Sequence, residues 1–134
     1  MGGIGETQRW TVVNDTKYAD PLHLDDVAVD FPGLPLVMAH AGRGFWYDRA
    51  FFLARLHGNL YLEISGLPPS RLMGYFPELP RLTEKVLFGS DWPGMPWIRR
   101  NMEAIRGLPL PADGVERILG GNAARLVQAT AAEQ

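Results

Sequence analysis

The run Leu34-Pro35-Leu36-Val37-Met38-Ala39, followed at once by His40-Ala41-Gly42, decides how the rest of this chain is read. It is continuously apolar instead of alternating, the pattern of a parallel strand buried on both faces, and it breaks off into a loop of small and polar residues. Two further runs repeat the arrangement. Leu60–Ile64 ends in Ser65-Gly66, and Lys85–Phe88 ends in Gly89-Ser90-Asp91. The polar ends fall at positions 40, 65 and 91, spacings of 25 and 26 residues.

Helical patterns surround these runs. Asp20-Pro21 reads as an N-cap and first helical residue. Leu24, Val27, Ala28 and Phe31 then lie on one stripe, and Pro32-Gly33 stops the helix. Phe45–His57 carries Ala50, Leu53 and Ala54 on one face, with Gly58 as its stop. A short helix is expected between the second and third runs. Pro96–Leu108 lines up Ile98, Met102 and Ile105, and two more helices follow near Ala112–Leu119 and Asn122–Ala131. Strands alternating with helices predict an α/β fold with a parallel sheet. The period is close to the roughly 30 residues per unit of a (β/α)₈ barrel, although an open flavodoxin-like sheet would have a similar one. A barrel needs eight units and three strands are clear, so a barrel reading makes this chain part of one. Thr11–Asn14 reads either as a fourth strand, one period before His40, or as a loop.

Composition bounds the function. The chain has 134 residues, 46% of them hydrophobic and 21% charged, with a net charge of −2. That is one ordinary globular domain without a strong sequence-independent grip on nucleic acid or anionic lipid. No cysteine is present, which excludes thiolate chemistry and disulfides. No apolar run reaches the roughly 20 residues of a membrane span, and Met1–Trp10 lacks the pattern of a signal peptide. The default expectation is a soluble, cytoplasmic protein acting on a small molecule.

Catalytic groups in parallel α/β folds stand at the C-terminal ends of strands, which here offers His40, Glu63, Ser65 and Asp91. A His and an Asp on strand ends suit metal binding or proton transfer. The plainer reading has His40 bonded to a backbone carbonyl at the edge of the core and Asp91 forming a turn. Arg43, in a Gly-flanked loop, suits bidentate pairing with a substrate carboxylate, or is a solvated arginine. Trp46 and Trp92 flank the two loops and suit either pocket walls or packing over strand ends. Glu63 points into a barrel or pairs with a base. Ser65, Ser70 and Ser90 lack a nucleophile elbow, and Gly2-Gly3-Ile4-Gly5 does not follow a strand and so is no phosphate loop. Arg99-Arg100 reads as a solvated helix face.

Several segments, in order, resemble the amidohydrolase-related family. They are Asp25–Leu34 with Val37-Met38-Ala39-His40-Ala41-Gly42, then Asn59–Gly66, then Val86-Leu87-Phe88-Gly89-Ser90-Asp91-Trp92-Pro93, and finally Ile118–Leu126. The similarity runs from about Tyr18 to Val127. Members of that family are metal-dependent barrels: hydrolases, lactonases, and non-oxidative decarboxylases of the aminocarboxymuconate-semialdehyde and γ-resorcylate type. The resemblance implies that the three runs are the sixth, seventh and eighth strands, with residues 18–134 the C-terminal half of a barrel and residues 1–17 an extension or a remnant of the preceding unit. It makes His40 the histidine that polarises substrate or moves a proton. It makes Asp91 a metal ligand that also serves as acid or base. The implied cofactor is a divalent ion, zinc first and manganese second.

The same resemblance implies residues that are missing. The family's first strand carries a His-x-His pair and its fifth strand a further metal-binding histidine. This chain has only His23, His40 and His57, and no His-x-His. His23 falls within a predicted helix, and His57 at a helix C-terminus, where the dipole favours a cation. A catalytic zinc site usually has three protein ligands. The expectation is therefore a metal-dependent hydrolase, or alternatively a decarboxylase, represented by a fragment that is weak or inactive alone. The completing partner is a separate N-terminal half or a second copy. A catalytically inactive remnant or interaction module is the reading from outside enzymology.

Overall fold

The computed structural model describes residues 16–132. The segment Thr11–Asn14, and with it most of the 1–17 extension, lies outside the described residues. Three parallel strands form one sheet in the order β1 (Leu36–Met38), β2 (Leu60–Glu63), β3 (Val86–Leu87). Leu36 pairs with Leu60 and Met38 with Leu62 in one ladder. Leu62 pairs with Val86 in the other. Each strand lies inside its predicted run and is shorter than it. Pro35 has no N–H to give to a ladder, and the chain leaves β1 directly at Ala39 for a 3₁₀ turn, Ala39–Gly42.

The helices follow the predicted stripes with local corrections. Asp20 caps a 3₁₀ turn, Pro21–Leu24, through its side chain on the Leu22 N–H at 3.0 Å. Helix α1 then covers only Asp25–Asp30. Phe31, predicted to face inward, lies beyond the last turn, off the helical stripe, and is 58% exposed. Helix α2 (Tyr47–Leu56) buries Ala50, Leu53 and Ala54 as expected. It begins two residues late because Gly42 and Gly44 hold positive φ just before it. The short helix α3 (Leu72–Tyr75) stands between β2 and β3. Helix α4 (Ile98–Arg106) buries Ile105. Helix α5 (Ala112–Glu116) passes through a single π turn into α6 (Asn122–Ala132). Among the described residues, no helix is long and apolar enough to cross a membrane.

One face of the sheet is sealed. Met38, Leu60, Leu62 and Val86 are buried in a core with Ala50, Leu53, Leu72 and Phe76. The other face, predicted to be covered as well, is only partly so: Tyr61 and Glu63 are half-buried and Val37 is 46% exposed. The physical reason is that a barrel interior is filled by side chains from strands all the way round. The described residues supply three such strands.

The two edges of the sheet differ. Leu87 gives its carbonyl to the Ile64 N–H at 3.0 Å, so the polar groups of its neighbours Val86 and Phe88 point away from β2. Both are satisfied locally. The Val86 carbonyl accepts from Asn122 Nδ2 at 2.8 Å, and the Phe88 N–H donates to the Ile118 carbonyl at 3.0 Å. At the opposite edge, Leu36 donates to Asn59 at 2.7 Å, which turns Val37 outward with no described strand beside it. The sheet is closed at β3 and open at β1.

Candidate active site

The C-terminal ends of the strands carry the three non-glycine residues that hold positive φ among the described residues: His40 (62°), Ala41 (44°) and Asp91 (55°). Left-handed backbone costs a residue with a side chain about 1–2 kcal/mol. Such strain concentrates at functional sites, where the surrounding structure holds it in place.

At His40 that hold comes from Glu63, at the end of β2. Its Oε2 accepts from the His40 N–H at 3.1 Å and from the Ser65 hydroxyl at 2.8 Å. Its Oε1 accepts from the Ser65 N–H at 2.7 Å. Glu63 thus lies on the inner face of the sheet and pairs with no basic side chain among the described residues; it ties the end of β1 to the turn after β2. Gly89, on the neighbouring strand end, leaves room for this carboxylate, since a Cβ there would collide with Glu63. The ring of His40 is fixed too, with Nδ1 2.7 Å from the Ser65 carbonyl and 3.3 Å from Ser65 Oγ.

Gly66 marks where the strand ends converge. Its φ is +75°, and a Cβ on it would meet Arg43 Nη1 at 2.7 Å, His40 Nδ1 at 3.3 Å and Asp91 Oδ2 at 3.5 Å. Three side chains, two from the end of β1 and one from the end of β3, thus reach one point, and only a glycine leaves that point free. Asp91 is exposed, and its carbonyl accepts from the Met95 N–H at 3.1 Å. Arg43 has no carboxylate within ion-pair distance among the described residues, so its guanidinium is available to an anion beside His40 and Asp91.

The three atoms nearest that point include neither Trp46 nor Trp92. The Trp46 ring lies 5.2 Å from the Arg49 guanidinium and 6.2 Å, edge-on, from Phe45. Its Nε1 is buried without a partner among the described residues. Trp92 is 67% exposed, with its N–H on Ser90 Oγ at 3.1 Å. His23 is exposed in the Pro21–Leu24 turn. His57 ends α2, where its Nε2 meets Asp25 Oδ1 at 2.6 Å. Neither histidine is near the strand ends. A concavity of about 540 Å³ is lined by Pro35, His57, Asn59 and Tyr61. It stands where the strands begin, the end opposite to barrel chemistry.

The site also lacks a metal set. No group of three His, Cys, Asp or Glu side chains able to hold an ion occurs among the described residues. Nδ1 of His40 is engaged by Ser65, which leaves Nε2 and the Asp91 carboxylate, fewer donors than a catalytic metal usually takes.

The sequence offers His40, Arg43 and Asp91 as candidates but not the frame around them. It leaves Glu63 open and gives Gly66 and Gly89 only as members of the polar clusters that end the strands. The available signal was the pairing of a glutamate on one strand end with a glycine on the next.

Comparison with known proteins gives the fold and the family. A solved, uncharacterized TIM-barrel protein from Bordetella bronchiseptica is 33% identical to this chain, with a TM-score of 0.71. The match covers 85% of this chain and 41% of that one, so the fold is part of a TIM barrel. No protein of curated function matches. The family profile described as amidohydrolase matches residues 5–128, nearly the whole sequence. The chain belongs to the amidohydrolase family.

Proposed function

We propose that this chain supplies the C-terminal half of the active site of an amidohydrolase-type hydrolase, which cleaves a C–N, ester or lactone bond with His40 and Asp91 as its catalytic pair. The observation that carries this reading is the convergence of His40, Arg43 and Asp91, from the ends of β1 and β3, around Gly66. Family membership supplies the reaction class. The divalent ion such enzymes use, zinc first and manganese second, does not fit the described residues by themselves, and its other ligands come from the N-terminal strands of a complete barrel.

The chain's own residues divide the remaining work. Water adds to the carbonyl carbon as its proton passes to the Asp91 carboxylate. The protonated His40 ring donates from Nε2, first to the developing oxyanion and then to the leaving nitrogen or oxygen as its bond to carbon breaks. Arg43 holds a carboxylate of the substrate through its paired N–H groups.

Decarboxylation is the second reading: an Arg43 guanidinium without an ion-pair partner among the described residues suits the carboxylate that reaction's substrate must carry, as it suits a carboxylated substrate of hydrolysis. There the pair would deliver a proton to carbon as carbon dioxide leaves. The test compares hydrolysis of lactones, esters and anilides with carbon dioxide release from hydroxybenzoates, in a complete barrel carrying this half. His40→Asn and Asp91→Asn should each lower kcat/KM by about 100-fold or more. Retention of full activity by both variants would refute the assignment of the pair.

A further inference from the structure

We propose that Glu63 is a positioning residue that places the proton of the neutral His40 ring on Nδ1 and leaves Nε2 as its working nitrogen. The inference follows from counting protons. A carboxylate accepts hydrogen bonds and donates none, so all three contacts of Glu63 are donations toward it. Ser65 has one hydroxyl proton, and it is committed to Glu63 Oε2 at 2.8 Å. Ser65 Oγ therefore offers only lone pairs to His40 Nδ1, 3.3 Å away. The other neighbour of Nδ1, the Ser65 carbonyl at 2.7 Å, has only lone pairs as well. Both neighbours are acceptors, so the proton sits on Nδ1 and the lone pair of the neutral ring is on Nε2.

Glu63 acts on the backbone in the same way. Its bond to the His40 N–H holds the residue at φ 62°, and its bond to the Ser65 N–H holds the turn that presents the carbonyl. One carboxylate thus sets both the place and the protonation of the ring without touching a substrate. Partners behind a reactive histidine orient it by fixing the nitrogen that faces away from the chemistry.

Replacing Glu63 by glutamine reverses part of this inventory. If the amide oxygen keeps the Ser65 N–H, the NH₂ group faces the Ser65 hydroxyl. The hydroxyl then accepts from the amide and turns its own proton toward His40 Nδ1, against the pull of the Ser65 carbonyl, so the ring loses part of its Nδ1-protonated population to the Nε2 form. Gly89→Ala reaches the same end differently, because its Cβ displaces the flexible Glu63 carboxylate without removing it.

The inference rests on His40 being the reacting histidine, but its test reads a nitrogen, not turnover, so the two fail separately. Chain labelled with ¹⁵N-histidine is examined by long-range ¹H–¹⁵N correlation at a pH where the ring is neutral, with His40→Asn identifying the signals. The expected wild-type ring is protonated at Nδ1. Ser65→Ala keeps that form through the carbonyl, whereas Glu63→Gln and Gly89→Ala shift the ring toward protonation at Nε2. A wild-type ring protonated at Nε2 would overturn the proposal, as would an unchanged tautomer in whichever of the two variants folds. Loss of cooperative unfolding in both would also overturn it, by assigning Glu63 to the fold and not to the ring.

Discussion

Gly66 does at the scale of one residue what the site requires. It holds φ +75° and leaves open the point on which Arg43, His40 and Asp91 converge. Gly66→Ala adds left-handed strain of about 1–2 kcal/mol and pushes the Arg43 guanidinium aside. The urea midpoint of the chain should fall accordingly, with little change in slope; an unchanged midpoint would show that the turn relaxes freely. His40 and Asp91 were legible in sequence because each ends a strand in a polar residue. Glu63 was not, because its partners are two backbone N–H groups and a hydroxyl, and backbone partners have no sequence pattern. The two readings of His40 also proved compatible: it is bonded to a backbone carbonyl, and that bond frees its other nitrogen.

Between elements, two buried polar side chains join what the short strands leave apart. Asn122, at the start of α6 and fully buried, donates to the carbonyls of Thr83 and Val86 at 2.7 and 2.8 Å and so seals the β3 edge. Lys85, 9% exposed, donates from Nζ to the His57 and Gly58 carbonyls at 2.9 and 2.8 Å and lies 4.4 Å from the Tyr61 ring. It thereby ties β3 to the end of α2, where a cation meets the negative pole of the helix. Burial nevertheless pushes the Lys85 ammonium below its ordinary range, with Glu84 acting in the opposite direction. The folded chain therefore releases this proton at lower pH than the unfolded chain does. Between the lowered folded pKa and the ordinary value of 10.5, the unfolded state binds more protons, and stability due to Lys85 rises with pH. Wild-type unfolding free energy should gain on that of Lys85→Met across this alkaline window; a falling difference would contradict the sign. Helix stripes and strand runs were legible because periodicity reports burial. The strand limits were not, since Pro35 and the positive-φ turn at His40 and Ala41 act locally against an apolar run.

Across the described residues, the molecule is a parallel sheet closed at β3, without a neighbouring strand at β1, and covered on one face. That shape agrees with a match to 41% of a TIM barrel. Family and barrel fragment were both legible in sequence, as ordered segments from the strand ends to the last helix. The half-exposed inner face was not, because an apolar run looks the same whether or not its partners are present. The proposed function rests on one statement: His40 and Asp91 stand at the C-terminal ends of the strands, and the described residues do not complete a metal site. The direct test is metal content per chain after gel filtration, for protein produced with zinc and manganese, beside Asp91→Asn. The monomer should retain well under one ion per chain, with no difference in the variant. One ion per monomeric chain, lost on Asp91→Asn, would contradict the half-site and show that this chain holds its metal alone.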